Sequence, residues 1–139
     1  MKIDSIQNGV VIDHISAGRG MMLYGLLGLS DVDCSVALIK NVVSKKMGKK
    51  DIIKIDADIP VDFDVIGYVD PGATVNIIKD GVLVEKKSIQ MPETLVNVIK
   101  CKNPRCISSC EQELQHIFKL TDKEKGVYRC IYCETQAKN

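Results

Sequence analysis

An α+β fold in two parts follows from three features of this 139-residue chain. Strand and helix signals alternate over roughly the first ninety residues, in the order β-α-β-β-α-β with one further strand. Five of the six cysteines crowd into the last 39 residues. Between these regions "SIQMPET" (88–94), with Pro92, reads as a linker. The length suits two small domains as well as one ordinary one, and the expected division is 1–92 and 93–139.

Each element has its own justification. "GVVIDHI" (9–15) is rich in β-branched residues and turns polar at Asp13 and His14, which predicts a strand. Ser16 is placed to cap a helix over 19–29, where Met22, Leu26 and Leu29 share one face. "CSVALIKNVVS" (34–44) is a second strand, "KKMGKK" a turn around Gly48, and "DIIKID" (51–56) a third strand. A short helix begins at Pro60 or Asp62, runs to about Tyr68 and stops at "DPG". "ATVNIIKDGVLVEKK" is a hairpin whose turn is Asp80-Gly81, a dipeptide that tolerates positive φ. Together these make a split βαβ sandwich, a ferredoxin-like antiparallel sheet with two helices on one face. Beyond the linker, "LVNVIK" (95–100) is a strand leading into the cysteines, and little after it is apolar enough for a core. Such a segment needs a staple to fold.

Composition narrows the function classes. With 45% apolar residues, no Trp and six Phe and Tyr together, the core must be aliphatic. The net charge of +1 argues against a general polyanion binder. Residues 1–94 carry eleven basic and thirteen acidic groups (net −2), and residues 95–139 eight and five (net +3). "MKIDSIQNG" lacks the apolar run of a signal peptide, and "MMLYGLLGL" is too short to span a bilayer. A soluble, cytoplasmic protein without membrane contact is the expectation, and there a CxxC cluster binds metal or does redox chemistry more often than it forms disulfides.

The cysteine spacing is Cys101-x4-Cys106, 23 residues, then Cys130-x2-Cys133. Two thiol pairs on tight turns are what a tetrahedral four-thiolate site requires, with Zn–S distances of about 2.3 Å. Four thiolates leave no position for water, so one structural Zn²⁺ per chain is expected in a small all-β module, its binding energy of about 10 kcal/mol serving as folding energy. An iron centre shares the ligand set. With Zn²⁺ and four thiolates adding −2, the basic half falls to about +1. Cys110 is spare, because a C-x8-C spacing does not close a tight turn, and Cys34 reads as a small buried hydrophobe. His116 reads as a surface histidine beside a strand rather than a substitute ligand.

In the first half three polar clusters lie on expected strands: Asp13 with His14, Lys50 with Lys54, and Asn76 followed by Lys86. Lys50 and Lys54 project from one strand face and can present two ammonium groups to one phosphate. The bland alternative is a solvated face. No Walker loop, GxGxxG or HExxH is present, and no nucleophile arrangement stands out. The residues alone define a small non-catalytic domain plus a zinc module, with an anion site in prospect.

Taken as a set, "GVVIDHI", "MGKKDIIKI", "ATVNII" and "CKNPRCIS…CIYC" resemble the regulatory chain of aspartate carbamoyltransferase over nearly the whole length. The resemblance implies a non-catalytic subunit whose first domain binds CTP, ATP or UTP and whose zinc domain docks on the catalytic chain. It implies a regulatory-chain dimer within a hetero-oligomer and a role in controlling pyrimidine biosynthesis. By motif it places Asp13 near the ribose or in support, His14 near base or phosphates, Lys54 near ribose and base, and Lys86 on the phosphates, with Lys50 beside them. Asn76 and Ile78 would line the pocket, Ile6 and Val11 border it, and the backbone of Asp4 and Ile52 would address the base edge. Cys101, Cys106, Cys130 and Cys133 would hold the zinc. Two departures are Gly81, where such chains can carry a bulkier side chain beside the base, and Arg105, where Asn is usual. The alternative is a free-standing zinc-ribbon nucleic-acid-binding protein, using Lys100, Lys102, Arg105, Lys119 and Arg129.

Overall fold

A computed structural model of the chain describes residues 7–137 and divides it into two compact units, Met1–Gln90 and Met91–Asn139. The first unit runs β1 (Gly9–Ser16), α1 (Gly20–Leu26), β2 (Val36–Ser44), β3 (Gly48–Ile55), α2 (Phe63–Val69), β4 (Thr74–Lys79) and β5 (Val82–Ser88). Its sheet has the order β2-β3-β1-β4-β5, and every neighbouring pair is antiparallel. The first four strands have the ferredoxin-like order expected from the sequence, and β5 extends the sheet through the hairpin. At that hairpin Asp80 and Gly81 have φ of 53° and 75°, both left-handed as a tight two-residue turn needs. Gly81 is thus set by the turn, and its N–H donates to Gln7 O.

Strand alternation divides the sheet into two faces. Val10, Ile12, Ile15, Ile53, Ile55 and Val75 are buried together with Leu23 of α1 and Val65, Ile66 and Val69 of α2. The other face carries half-buried Val11, Asp13, Ile52, Lys54, Asn76 and Ile78.

Helix α1 is shorter than the sequence suggested. The chain leaves the helix at Leu27, and Gly28 follows in a left-handed conformation (φ 67°) before a 3-10 turn at Leu29–Asp31. Ser16 does not cap it: that residue ends β1, and its N–H donates to Asp70 Oδ2. The entry to α1 is held instead by Asp51 of β3, fully buried, whose Oδ2 accepts from Gly18 and Gly20 N–H at 3.1 and 3.0 Å. Its Oδ1 accepts from Asn41 N–H at 3.0 Å. Helix α2 has the local cap that α1 lacks, since Asp62 accepts from Asp64 N–H.

The second unit contains β6 (Thr94–Val96), a single helical turn α3 (Ile107–Cys110), β7 (Ile117–Asp122) and β8 (Val127–Cys130), with sheet order β6-β7-β8. The expected strand over 95–100 stops at Val96, because Asn97 turns left-handed (φ 57°). Its core is Leu95, Phe118 and Tyr128 beside the cysteines. Three large side chains form a small core for a unit of this size. Cys34 is half-buried rather than buried, and Cys110 is exposed.

Candidate ligand face and metal centre

On the sheet face away from the helices, register brings the expected residues into rows. One row crosses all five strands: Ala37 opposite Lys54, Lys54 opposite Val11, Val11 opposite Asn76, Asn76 opposite Lys86. Lys54 and Lys86 are three strand spacings apart, about 14 Å between their backbones. Neither forms an ion pair with any described residue, so the row ends in two uncommitted ammonium groups around Val11 and Asn76. Within it Asn76 Oδ1 is buried without a hydrogen-bond partner among the described residues. A buried acceptor left without a donor costs about 1–3 kcal/mol.

The next row contains Ile39 opposite Ile52, and Asp13 opposite Thr74. A bulge in β1 between Ile12 and Ile15 inserts Asp13 and His14 there, and His14 is left-handed at φ 59°. Its Nδ1 lies 3.0 Å from Thr74 Oγ1, which places the imidazole on this face. Lys50 is committed where Lys54 is not, pairing with Asp13 Oδ1 at 3.0 Å. The same oxygen accepts from His14 N–H at 2.6 Å. Burial pushes the Asp13 carboxyl up, but the hydrogen bonds from Lys50 and His14 N–H and the nearby positive charge outweigh it and hold it below 3.8.

The structure thus gathers Val11, Asp13, His14, Lys50, Ile52, Lys54, Asn76, Ile78 and Lys86 on one face. Asp4 and Ile6 lie outside the described residues. Two residues join this face that the motifs did not single out. Thr74 lies two positions before Asn76, so strand alternation alone would have found it. Leu83 pairs with Ile78 on the turn side of a register shift, so counting back from Asp80-Gly81 would have found it too, whereas the pairing of Lys86 with Asn76 lies beyond the shift.

In the second unit the Sγ atoms of Cys101, Cys106, Cys130 and Cys133 all lie within 4.8 Å of one another. Cys101–Cys133 and Cys106–Cys130 are each 3.6 Å apart. A tetrahedral zinc with 2.3 Å bonds needs sulfur–sulfur edges of about 3.8 Å, so the cluster fits this ion. Each pair is built on a turn. Cys106 N–H donates to Asn103 O while Asn103 Oδ1 accepts from Arg105 N–H, and Glu134 N–H donates to Cys130 O. The thiols differ in acidity. The Thr135 hydroxyl, 3.1 Å from Cys133 Sγ, draws that thiol down to about 6, and the Ser108 hydroxyl lowers Cys106. Burial, with the hydrogen bonds from the neighbouring thiols, pushes Cys101 up to about 12. Cys110 is outside the cluster, and His116 Nδ1 accepts from Cys101 N–H at 3.5 Å, supporting the site from behind.

An antiparallel sheet with an open, cationic face, followed by a module closed on four thiols, defines a chain of two units, one an open-faced sheet and one built around a cluster that can hold a metal. The comparisons give this class a family. Residues 1–90 match the family model described as the aspartate carbamoyltransferase regulatory chain, allosteric domain, and residues 93–139 match its metal binding domain. The chain is 50% identical to the aspartate carbamoyltransferase regulatory chain of Clostridium tetani, covering 96% of this chain and 94% of the relative. With that of Clostridium botulinum it shares 49% over 96% and 92%, and with that of Bifidobacterium longum 44% over 99% of each. This chain belongs to the aspartate carbamoyltransferase regulatory-chain family, with an allosteric domain and a metal-binding domain whose four-cysteine cluster suits a structural zinc.

Proposed function

We propose that the chain is a non-catalytic, cytoplasmic regulatory subunit that binds nucleoside triphosphates, CTP, ATP or UTP, on the open face of its first unit. Bound nucleotide then biases the catalytic chains of aspartate carbamoyltransferase between a less and a more active quaternary state. The observation that carries this reading is the row Lys54–Val11–Asn76–Lys86, with two ammonium groups that have no ion-pair partner among the described residues and, between them, an acceptor with no described donor. A triphosphate brings about four negative charges, and fixed cations in a net-acidic unit give local affinity without general polyanion binding. The half-buried apolar side chains Val11, Ile52 and Ile78, with Leu83, form a floor for a base and sugar. Coupling of about 1–3 kcal/mol between nucleotide and quaternary state is the expected scale, and it requires unequal affinity for the two states.

In this reading the zinc held by Cys101, Cys106, Cys130 and Cys133 fixes the shape of a docking surface. Ile107 follows Cys106 directly, and Ile131 and Tyr132 lie between Cys130 and Cys133; all three are exposed. Apolar side chains tied to the metal turns suit a partner that docks only when the metal is bound. Regulatory chains pairing as dimers would complete the hetero-oligomer. Purified catalytic trimers mixed with the zinc-loaded chain should co-elute on gel filtration, and CTP or ATP should then shift the aspartate saturation curve. Chelation should release the catalytic chains. Failure to co-assemble, with an unchanged saturation curve, would end this reading.

A further inference from the structure

Charge is not spread evenly over the first unit. From Ile55 to Ile78 the sequence holds five aspartates and no lysine or arginine, and four of the five fall within "DADIPVDFD" (56–64). Asp56, Asp58, Asp62 and Asp64 are all exposed, and none forms an ion pair with a described residue. Asp62 Oδ1 accepts from Asp64 N–H at the start of α2, which leaves its charge in place. The same stretch borders an apolar trough of about 440 Å³ on the helix side of the sheet. Ile59, Val61 and Phe63 line it from one side and Val10, Val75 and Ile77 from the sheet, and Asp58 is among its walls. Past Val75 and Ile77 the sheet turns polar, because their partners on β5 are Lys87 and Glu85. Lys87 shows what a cation finds at this edge. Its ammonium lies 4.9 Å from the centre of the Phe63 ring and 3.6 Å from Glu85 Oε1.

We propose that this trough docks a basic, amphipathic segment of a partner protein, with apolar anchors in the trough and lysine or arginine side chains over the aspartates. The surface belongs to the first unit and lies on the side of the sheet away from the cationic face, since Val75 and Ile77 alternate with Asn76 and Ile78. Charge complementarity selects the occupant. Four carboxylates without cationic partners repel nucleic acid and anionic lipid headgroups, so neither polyanion fits. A wholly apolar segment would shield those carboxylates from water and give them nothing in return. Basic side chains at the rim pair with them instead, steering the encounter and rejecting acidic competitors. The apolar anchors, buried against Val10, Val75 and Ile77, then supply most of the affinity.

The probe is a dye-labelled helical peptide with a stripe of leucines at i, i+3, i+4 and i+7 and lysines elsewhere, titrated into the full zinc-loaded chain by fluorescence anisotropy. It should bind, more weakly as salt rises, and hydrogen exchange should show new protection at 57–65 and in β4. The same peptide with serines for leucines should bind at least about tenfold more weakly, and with glutamates for lysines it should not bind. Asp56→Asn/Asp58→Asn keeps the shape of the trough, spares the α2 cap and should weaken the leucine–lysine peptide about fivefold at low salt. Ile59→Ser, checked for folding by circular dichroism, should weaken it as well. Equal binding of the leucine and serine peptides, or no effect of the double asparagine variant, would show general attraction and overturn the proposal. Protection confined to the open face or to the second unit would overturn it too. So would binding to phosphatidylglycerol vesicles with protection at 57–65, which would make the surface a membrane contact. Self-association of the chain that the double variant abolishes would make a second copy the occupant, against the proposal.

Discussion

Replacing Asp51 by Ala is the sharpest single test of how β3 is anchored to α1. The carboxylate is fully buried and accepts three backbone N–H groups, from Gly18, Gly20 and Asn41, at 3.0 to 3.1 Å. Gly18 and Asn41 are exposed, so water can replace the lost oxygen there at about 0.5–1 kcal/mol each. Gly20 is buried, and its N–H, at the first turn of α1, would be stranded at about 1–3 kcal/mol. Relief from burying a carboxylate offsets part of this, and the empty side-chain volume adds to it, leaving a loss of about 3 kcal/mol. Asp51→Asn retains one acceptor oxygen. With that oxygen facing Gly18 and Gly20, its amide N–H₂ confronts Asn41 N–H, so about half the loss is expected. Hydrogen exchange read by mass spectrometry separates the two units, and denaturant melts followed by circular dichroism give the size. The expected order of stability is unaltered, then Asn, then Ala, with lost protection in β3 and α1 and none in β7 or β8. A loss below about 1 kcal/mol for Ala would show that the carboxylate is not what holds α1 to β3.

Gly20→Ala gains up to about 1 kcal/mol of helix propensity. The new Cβ, however, would sit 2.8 Å from both Asp51 Oδ2 and Leu38 Cδ1, so overpacking of about 1–3 kcal/mol wins, and the melt midpoint should fall. Cys106→Ser removes one of four ligands, and elemental analysis should show metal lost with amide protection collapsing in β7 and β8 while the first unit holds. Lys54→Ala and Lys86→Ala should each weaken tripolyphosphate binding about fivefold at low salt, a difference that shrinks as salt rises. Lys49→Ala, on the exposed opposite side of β3, serves as the control and should change titration affinity little.

Much of this was legible because strands and tight metal turns write themselves locally. The Asp80-Gly81 turn, the alternation of "DIIKI" and the C-x4-C and C-x2-C spacings each carry their geometry within a few residues. The cap of α1 was not legible. Ser16 stands where a local cap belongs, but the acceptor that holds Gly20 comes from Asp51, 31 positions along the chain. A seven-residue helix with two glycines has weak intrinsic preference, so tertiary contacts decide where it starts and ends. The motifs likewise named Lys50 and Lys54 as equivalent cations. Only the fold shows that Lys50 pairs with Asp13 while Lys54 has no ion-pair partner among the described residues.

The β1 bulge explains how one strand serves both the core and the ligand face. Ile12 and Ile15 are both fully buried, yet residues three apart in a regular strand point to opposite sides. Without the bulge, either Ile15 would lie on the cationic face or Ile12 would leave the core, at about 1.5–3 kcal/mol for exposing such a side chain. The bulge removes that conflict by opposing Asp13 and His14 to a single stretch of β3. Its cost is a left-handed histidine, about 1–2 kcal/mol for a non-glycine residue, smaller than the burial it preserves. A second bulge, in β2, contains left-handed Asn41, whose N–H reaches Asp51 Oδ1 from the other side of β3. The segment Lys50–Asp51–Ile52 is thus gripped between two bulges. Asp51 points inward to fix the strand, and its neighbours Lys50 and Ile52 point outward onto the open face. Any ligand that moves Lys50 or Ile52 must therefore work against Asp51, and through Asp51 against the start of α1.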